Sequence, residues 1–359
     1  MAKKQVEKKT VANLDELKAT IEEQYGDGAL MIGRNSIIPV DVFPTMVASI
    51  DKALGVGGIP QGRIIEIYGS EGSGKTTTCL QFISACQKYY FHKKERYGTA
   101  AFIDAEHAFD PSWAEKIGVD MNKLLMSQPD SGEEAFQIVE RLIRSNLVDL
   151  IVVDSVAALS PKEELEGEIG DNRIGAQARM MSQGLRILKG AISRSKCAVV
   201  FINQVREKIG VMFGNPESTP GGRALKFYSS IRGEISRGGR IVDGDVVIGF
   251  TPKIKFIKNK VAPPFTFAEY EICFGNPSRP VCGIDINASI IDVAIADGFC
   301  SKKGNFYNYG DITLGNGRVN AVGYLRNNPE FADELRGKIY DKLFNKVEID
   351  KTLNVDISV

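Results

Sequence analysis

The sequence predicts an α/β protein: a twisted, mainly parallel β-sheet flanked by helices, preceded by an N-terminal helix and followed by a small α+β C-terminal domain. Three observations support this. From about residue 37 to Cys273, continuous apolar runs alternate with helical patterns, as strands buried on both faces and joined by crossover helices do. One such run, Ile64-Ile65-Glu66-Ile67-Tyr68, leads into Gly69-Ser70-Glu71-Gly72-Ser73-Gly74-Lys75-Thr76, which fits G-x-x-x-x-G-K-[ST] at every fixed position. Thr76 to Tyr90 then carries Leu80, Ile83 and Ala85 at helical spacing, so strand, turn and helix follow in the order a phosphate site requires.

Composition narrows the function classes. A chain of 359 residues suggests two or three domains, and 43% apolar with 25% charged residues is ordinary for a globular protein. Net charge is zero by count, so no basic field of the whole protein recruits nucleic acid and any polyanion site is local. Cys79, Cys86, Cys197, Cys273, Cys282 and Cys300 form no C-x-x-C and are joined by only two His, which excludes a zinc module and suits reduced thiols in the cytoplasm. No run reaches the 18 or so apolar residues of a membrane span, and the lysine-rich start is not followed by the apolar segment of a signal peptide.

In chain order, Leu14, Leu17, Ile21 and Tyr25 make an apolar stripe that Gly26 and Gly28 terminate; it docks either on its own core or on a neighbouring subunit. Thr99 to Asp104, Leu124 to Gln128, Leu147 to Asp154 and Cys197 to Asn203 read as strands buried on both faces. Between them, Ala135, Ile138, Val139, Leu142 and Ile143 form one helix stripe, and Met181, Gly184, Leu185, Leu188 and Ile192 another. Phe227 to Ile235, Lys253 to Lys260 and Thr266 to Phe274 follow without helices and are expected to extend the sheet antiparallel. Gly275-Asn276-Pro277-Ser278-Arg279-Pro280 reads as a hinge. Beyond it, Ile290 to Ala296 and Phe331 to Phe344 read as helices around a Gly/Asn/Tyr-rich middle. The expected divisions are residues 1–36, 37–276 and 277–359. The last twenty residues hold Lys342, Lys346 and Lys351 against Asp341, Glu348, Asp350 and Asp356, so no acidic tail is expected.

The chemistry follows from what each position can offer. Glycines in the loop allow the positive φ that turns backbone N–H groups onto a polyphosphate, Lys75 neutralises β and γ oxygens, and the Thr76 hydroxyl ligates Mg²⁺. Asp154 closes an apolar strand and supplies the second group for the metal. In Asp104-Ala105-Glu106-His107, Glu106 is the candidate for activating water; Asp104 alternatively caps, and His107 alternatively is a satisfied core group. Gln204 ends another strand with an amide that can donate to a γ-phosphate oxygen and move when it leaves. The long glycine-rich stretch after it, to Gly222, mixes Arg206, Lys208, Met212, Phe213 and Asn215, which suits either single-stranded nucleic acid or a solvated lid. A second glycine-rich break, Glu166 to Gly175, precedes a helix with Arg179, Ser182, Arg186 and Lys189 on one face, either a solvated face or half of a polyanion groove. Lys258 and Lys260 lie on a late strand and read as ordinary surface lysines.

Taken together these segments resemble the bacterial RecA recombinase family, including its phage-borne relatives. The resemblance runs from about Asn13 to Leu343. It rests on the phosphate loop, Ala101-Phe102-Ile103-Asp104-Ala105-Glu106-His107-Ala108, Ile151-Val152-Val153-Asp154-Ser155-Val156-Ala157-Ala158-Leu159, Ala178-Arg179-Met180-Met181-Ser182-Gln183, Phe201-Ile202-Asn203-Gln204 and Lys208-Ile209-Gly210-Val211-Met212-Phe213-Gly214-Asn215. It implies a DNA-dependent ATPase that forms helical filaments on single-stranded DNA and exchanges strands with homologous duplex, with ATP and Mg²⁺ at the subunit interface. Gly69 to Thr77, Asp110, Trp113 and Asp154 would hold the nucleotide, with Thr76 and Asp154 on the metal. Glu106, Lys75 and Gln204 would act in hydrolysis, and Lys258 and Lys260 would reach the neighbour's ATP. The family's DNA contacts fall on Gly167, Arg173, Arg179, Arg186, Arg206, Met212, Phe213, Asn215, Gly221 and Gly222, with Lys302 and Arg318 gathering duplex. The resemblance also gives the divisions their roles: an oligomerisation helix and linker, an ATPase core with two DNA-binding loops, and a DNA-gathering domain. Trp113 stands where the family more often has tyrosine, Ser70 and Gly72 depart from its usual loop, Pro220 and Arg223 alter the end of the second loop, and His92, Lys93, Lys94 and Arg96 lie in an insertion without an assigned role. Two alternatives share the motifs: a ring-forming helicase or translocase on the same core, and a nucleotide-binding scaffold that does not hydrolyse.

Overall fold

The structure, a computed structural model, describes residues 13–26, 29–30, 40–94, 98–167, 175–207 and 217–344. It divides into two compact units, residues 1–40 and 41–359. In the first, α1 (Leu14–Tyr25) starts where the Asn13 side chain accepts from Glu16 N at 2.9 Å, and stops where Gly26, at φ 96°, returns its N–H to Glu22 O. A capping oxygen at the start and a positive φ at the end are the usual solutions for unpaired terminal groups.

The second unit opens with β1 (Val42–Phe43), α2 (Ala48–Leu54) and β2 (Ile59–Pro60). The alternating part follows: β3 (Ile64–Gly69), α3 (Lys75–Lys94), β4 (Ala100–Asp104), α4 (Pro111–Ile117), β5 (Leu124–Ser127), α5 (Gly132–Ser145), β6 (Leu150–Asp154), α6 (Lys162–Leu165), α7 (Ala176–Ile192) and β7 (Ala198–Gln204). Next come the short pair β8 (Arg206–Glu207) and β9 (Glu217–Ser218), α8 (Ala224–Tyr228), β10 (Ile231–Ser236), β11 (Arg240–Asp243), β12 (Val246–Phe250), β13 (Lys253–Asn259), β14 (Thr266–Glu269), β15 (Ile272–Asn276) and β16 (Arg279–Ile284). The C-terminal elements are α9 (Ile286–Ala296), β17 (Ser301–Lys303), β18 (Phe306–Tyr309), β19 (Ile312–Asn316), α10 (Arg318–Asn327) and α11 (Pro329–Phe344).

The main sheet has the order β14-β13-β10-β3-β7-β6-β4-β5. All neighbours from β10 to β5 are parallel, and β13 and β14 add antiparallel at the other edge. The period of two along each strand divides the core. Ile65, Ile67, Phe102, Leu150 and Val152 face the side that holds Leu80 and Phe82 of α3; Ile64, Ile103, Ile151 and Val153 face Phe136 of α5 and Leu185 and Leu188 of α7. Each such side chain contributes roughly 1.5–3 kcal/mol by leaving water.

Several expectations change in three dimensions. β5 is an edge strand, with Leu125 and Met126 exposed, so Leu124 to Gln128 is not buried on both faces. Phe227 to Ile235 begins as α8, where Leu225 is drawn into the core, and only then becomes β10, which runs parallel to β3. Thr266 to Phe274 is two strands in two sheets, because the chain leaves β14 for the order β11-β12-β15-β16. The expected hinge is the tight turn of the β15–β16 hairpin, where Asn276 Oδ1 accepts from Ser278 N and Oγ. The Gly/Asn/Tyr-rich middle is an ordered three-stranded sheet followed by α10, against which Leu314, Ala321, Leu325, Leu335 and Ile339 make a separate small core.

Ionic contacts join that small core to the rest of its unit. Arg279 of β16 pairs with Glu271 and Asp285, Arg326 pairs with Asp285 at 3.0 Å, and Arg318 spans Glu271 at 2.9 Å and Asp292 at 2.6 Å. The buried carboxylate of Asp51 in α2 accepts from Thr45 N and Oγ and from the Tyr340 hydroxyl of α11.

Candidate functional site

Because β3, β7, β6 and β4 are parallel neighbours, their carboxyl ends bring Gly69, Gln204, Asp154 and the residues after Asp104 to one edge. The loop from Gly69 to Gly74 turns there into α3. Gly72 and Gly74 have φ of 66° and 91°, and a Cβ on Gly69 would meet Ile235 O at 2.0 Å, so these positions need glycine. Ser70 and Glu71 are exposed at its tip. The Ser73 hydroxyl is buried and has no partner among the described residues. Lys75 Nζ donates to Ser70 O at 2.8 Å, an oxygen of the loop itself. Burial lowers the Lys75 pKa, and the carboxylates of Asp154 and Glu106 oppose that effect. An unpartnered buried hydroxyl, a cradle that admits no Cβ and a lysine folded back onto a loop carbonyl all fit a polyphosphate.

Thr76 Oγ1 donates to Asp154 Oδ2 at 2.7 Å, which brings the two candidate Mg²⁺ groups together. Burial pushes the Asp154 carboxyl up to about 6; the Thr76 hydrogen bond lowers it and the nearby Glu106 charge raises it. Among the described residues no cluster of three or more His, Cys, Asp or Glu could hold a metal. One hydroxyl and one carboxylate are the donor set that suits Mg²⁺ when substrate phosphates and water complete the octahedron.

Glu106 follows β4 and is exposed. Its Oε1 accepts from the Ser155 hydroxyl and from Gln204 Nε2, the latter at 2.9 Å. Ala105 N and Glu106 N both donate to Asp154 O, at 2.8 and 3.3 Å, so the ends of β4 and β6 are tied through the backbone. Asp104 is occupied as a cap, accepting from Ala108 N, Phe109 N and Gln128 Nε2. His107 is neither buried nor in the core; it is exposed in the turn at φ 56°. Asp110 Oδ1 accepts from Trp113 N at 3.0 Å and starts α4, and Trp113 Nε1 donates to Thr77 Oγ1 at 3.2 Å. The indole is thereby fixed beside α3 with part of its face exposed.

Strand β7 connects this edge to the second glycine-rich stretch. Asn203 Nδ2 donates to Glu66 Oε1 at 3.2 Å and to Pro220 O at 3.3 Å, while Glu66 pairs with buried Arg232. Gln177, in the first turn of α7, accepts from Gly221 N at 3.1 Å and donates to Val156 O and Leu159 O at 3.0 and 3.2 Å. Gly221 and Gly222 have φ of 81° and 75° and lie close against Met181 and Ala178 of α7. The exits of both glycine-rich stretches are thus bonded to each other and to the chain after Asp154. Gln177, Ser155 and Asn203 escape a reading by motif, because an amide or hydroxyl has no spacing signature until its backbone partner is known.

Arg179 and Arg186 are exposed on α7, Arg179 lying 3.6 Å from Glu163. Gly167 is half-buried after α6. Arg173, Met212, Phe213 and Asn215 lie outside the described residues, as do the side chains of Arg206 and of His92 to Lys94, and the chain after Phe344. Lys302 is exposed on β17. Arg318, expected to gather duplex, donates to Asp292 and Glu271.

Lys258 and Lys260 are at the other end of the sheet. Ile231 of β10 aligns with Asn259 of β13 and with Ile65 of β3, whereas Ile235 aligns with Gly69. Four residues of strand separate the two levels, about 13 Å. Lys258 Nζ donates to Lys226 O and Phe227 O, and burial, with Lys260 and Arg232 nearby, brings its pKa down to about 8. These lysines do not serve the phosphate loop of their own chain.

Residues 12–278 match the RecA N-terminal domain and residues 288–344 the RecA C-terminal domain. The chain is 48% identical over 342 residues to Protein RecA of Clostridium acetobutylicum, covering 94% of each. It is 50% identical over 332 residues to Protein RecA of Thermus aquaticus, covering 92% of this chain and 94% of the relative. With Protein RecA of Symbiobacterium thermophilum it shares 52% identity over 334 residues, 92% of each. With both halves matched and near half of all positions shared over almost its whole length, the chain belongs to the bacterial RecA family of recombinases, DNA-dependent ATPases that bind ATP and Mg²⁺ and form filaments on DNA.

Proposed function

We propose that each subunit uses ATP as a switch on its grip of single-stranded DNA, with the residues at the carboxyl edge of the sheet reading the triphosphate and the two glycine-rich stretches holding the strand. The observation that carries this reading is the contact of Gln204 with Glu106, because Gln204 also ends the strand that enters the second stretch. Backbone N–H groups of Gly69 to Thr77 and the Lys75 ammonium bind the phosphates; Thr76 and Asp154 would hold Mg²⁺, which would supply positive charge against the triphosphate. Trp113 stacks on the base, held by its bond to Thr77 and by the Asp110 cap. Glu106 takes the proton of the attacking water.

Gln204 can donate to Glu106 or to a γ-phosphate oxygen, and its choice changes the strand end from which the second stretch departs. Arg179, Arg186 and Arg206 then meet phosphates, with Met212, Phe213 and Asn215 against bases and Gly167, Arg173, Gly221 and Gly222 in the loops that approach the backbone. Lys258 and Lys260, far from their own phosphate loop, supply cations to the ATP of the adjoining copy, and α1 docks on a neighbour. Lys302 gathers duplex from the C-terminal domain, residues 277–359, beside a core of residues 37–276. Six cysteines outside any disulfide suit the reducing cytoplasm, and among the described residues no helix is long and apolar enough to cross a membrane.

The test is strand exchange between homologous and heterologous substrates, with ATP and with a non-hydrolysable analogue, beside ATPase assays with and without single-stranded DNA. Pairing confined to homologous DNA and supported by the analogue is expected. Closed rings that do not extend on DNA would favour a helicase instead, and absence of hydrolysis would favour a scaffold.

A further inference from the structure

We infer that Ser155 is a positioning residue for hydrolysis, holding the Glu106 carboxylate by one oxygen while the other receives the proton of water. This rests on the reading of Glu106 as the group that activates water. Ser155 directly follows Asp154 at the end of β6 and is only 1% exposed, so bulk water does not compete for its hydroxyl. That hydroxyl donates to Glu106 Oε1 across the gap between the ends of β6 and β4. The two strand ends are already joined by the bonds of Ala105 N and Glu106 N to Asp154 O, so donor and acceptor stand on one frame.

Gln204 Nε2 donates to the same Oε1. The two donors differ in what they are attached to. Gln204 leads into the second glycine-rich stretch and is required elsewhere once a γ-phosphate oxygen is present. Ser155 is buried and has no such alternative. When the amide departs, the hydroxyl is the side-chain donor that remains, and it keeps an exposed glutamate from swinging among its rotamers. A general base works only when held within hydrogen-bond reach of the proton it takes.

In the step itself, Glu106 Oε2 takes a proton from water as the water oxygen bonds to the γ-phosphorus. The bond from that phosphorus to the β,γ-bridging oxygen breaks, and ADP leaves with the electron pair. The Ser155 proton stays on Oγ throughout.

The test uses the full chain with saturating single-stranded DNA, comparing S155A, S155T, E106Q and the double variant S155A/E106Q. Steady-state ATPase is read alongside equilibrium binding of a non-hydrolysable analogue and the melting temperature. S155A should lower kcat about ten- to a hundred-fold, the scale of a misplaced catalytic group, with KM, analogue affinity and melting temperature unchanged. S155T, which keeps the hydroxyl, should recover most of the rate, and S155A should cost nothing further in the E106Q background. The inference is overturned if S155A turns over at the parental rate, if its loss multiplies with that of E106Q, or if the loss comes with weakened analogue binding. E106Q hydrolysing normally would sink the reading of Glu106 and the inference with it; E106Q inactive with S155A normal sinks the inference alone.

Discussion

Gln204 Nε2 lies 2.9 Å from Glu106 Oε1, although the strands that carry them, β7 and β4, are separated by β6. The amide therefore reaches over the end of the strand that bears Asp154. The residue proposed to sense phosphate is, in the same geometry, hydrogen-bonded to the residue proposed to activate water.

Replacing Gln204 by Ala should break both connections. Analogue binding should weaken by no more than the one hydrogen bond to the γ-phosphate, because the phosphate loop is untouched. The gain in affinity for single-stranded DNA on adding the analogue, a coupling expected in the usual range of about 5- to 150-fold, should vanish. Fluorescence anisotropy of a labelled oligonucleotide, with and without analogue, measures it; a retained gain would show that Gln204 is not the link.

Asp154 gives a pH dependence with a definite sign. Its carboxyl is raised to about 6, chiefly by burial, so below that pH it is protonated and competes poorly for Mg²⁺. The Mg²⁺ concentration for half-maximal ATPase should change little between pH 7 and 8 and climb toward ten-fold per unit below about pH 6. A raised carboxyl stabilises the fold at low pH and loses that contribution as pH rises through its folded value. The nucleotide-free D154N variant should accordingly melt higher than the parent at pH 7.5, and that advantage should shrink progressively as pH falls from about 6 toward the ordinary carboxylate value.

Gln177 holds Gly221 N, Val156 O and Leu159 O at once. Truncation to Ala leaves those groups short of a partner, a cost on the order of 1–3 kcal/mol. The loss should register as a lower midpoint in urea and a several-fold weaker stimulation of ATPase by single-stranded DNA. Unaltered stimulation would mean that the exits of the two stretches are joined without consequence for the switch.

Arg318 and Lys302 should part company. R318A removes the partner of Glu271 and Asp292 in a half-buried network and should destabilise the protein by about 1–3 kcal/mol. K302A should leave the melting temperature within error and weaken duplex binding, with a smaller dependence on salt. The opposite outcome, a stable R318A defective only in duplex capture, would make Arg318 a DNA contact rather than a structural one.

Much of this was legible in the sequence because its signals are local. The Gly69 to Thr76 loop announces itself by fixed spacing, and Asp154 and Gln204 by closing apolar runs. Strand β10 was misread because parallel and antiparallel pairing leave the same pattern in a buried run, and only the register with β3 decides. Pro277-Ser278 looked like a hinge because a tight hairpin turn and a linker draw on the same residues. The ion pairs of Arg318 escape the sequence because its partners, Glu271 and Asp292, lie 47 and 26 residues away. The bonds of Ser155 and Gln177 depend on which backbone atoms the fold delivers to them.

With Lys258 and Lys260 flanking Asn259, whose level is about 13 Å of strand away from that of Gly69, the proposed passing of cations from one copy to the triphosphate of the next would give a row of copies unlike termini. At one extremity a nucleotide would wait without its lysines; at the other, lysines would wait without a nucleotide. Head-to-tail contacts of that kind do not close on themselves unless the rotation permits. Such a row has a direction built in, and its two extremities should gain and shed members at different speeds.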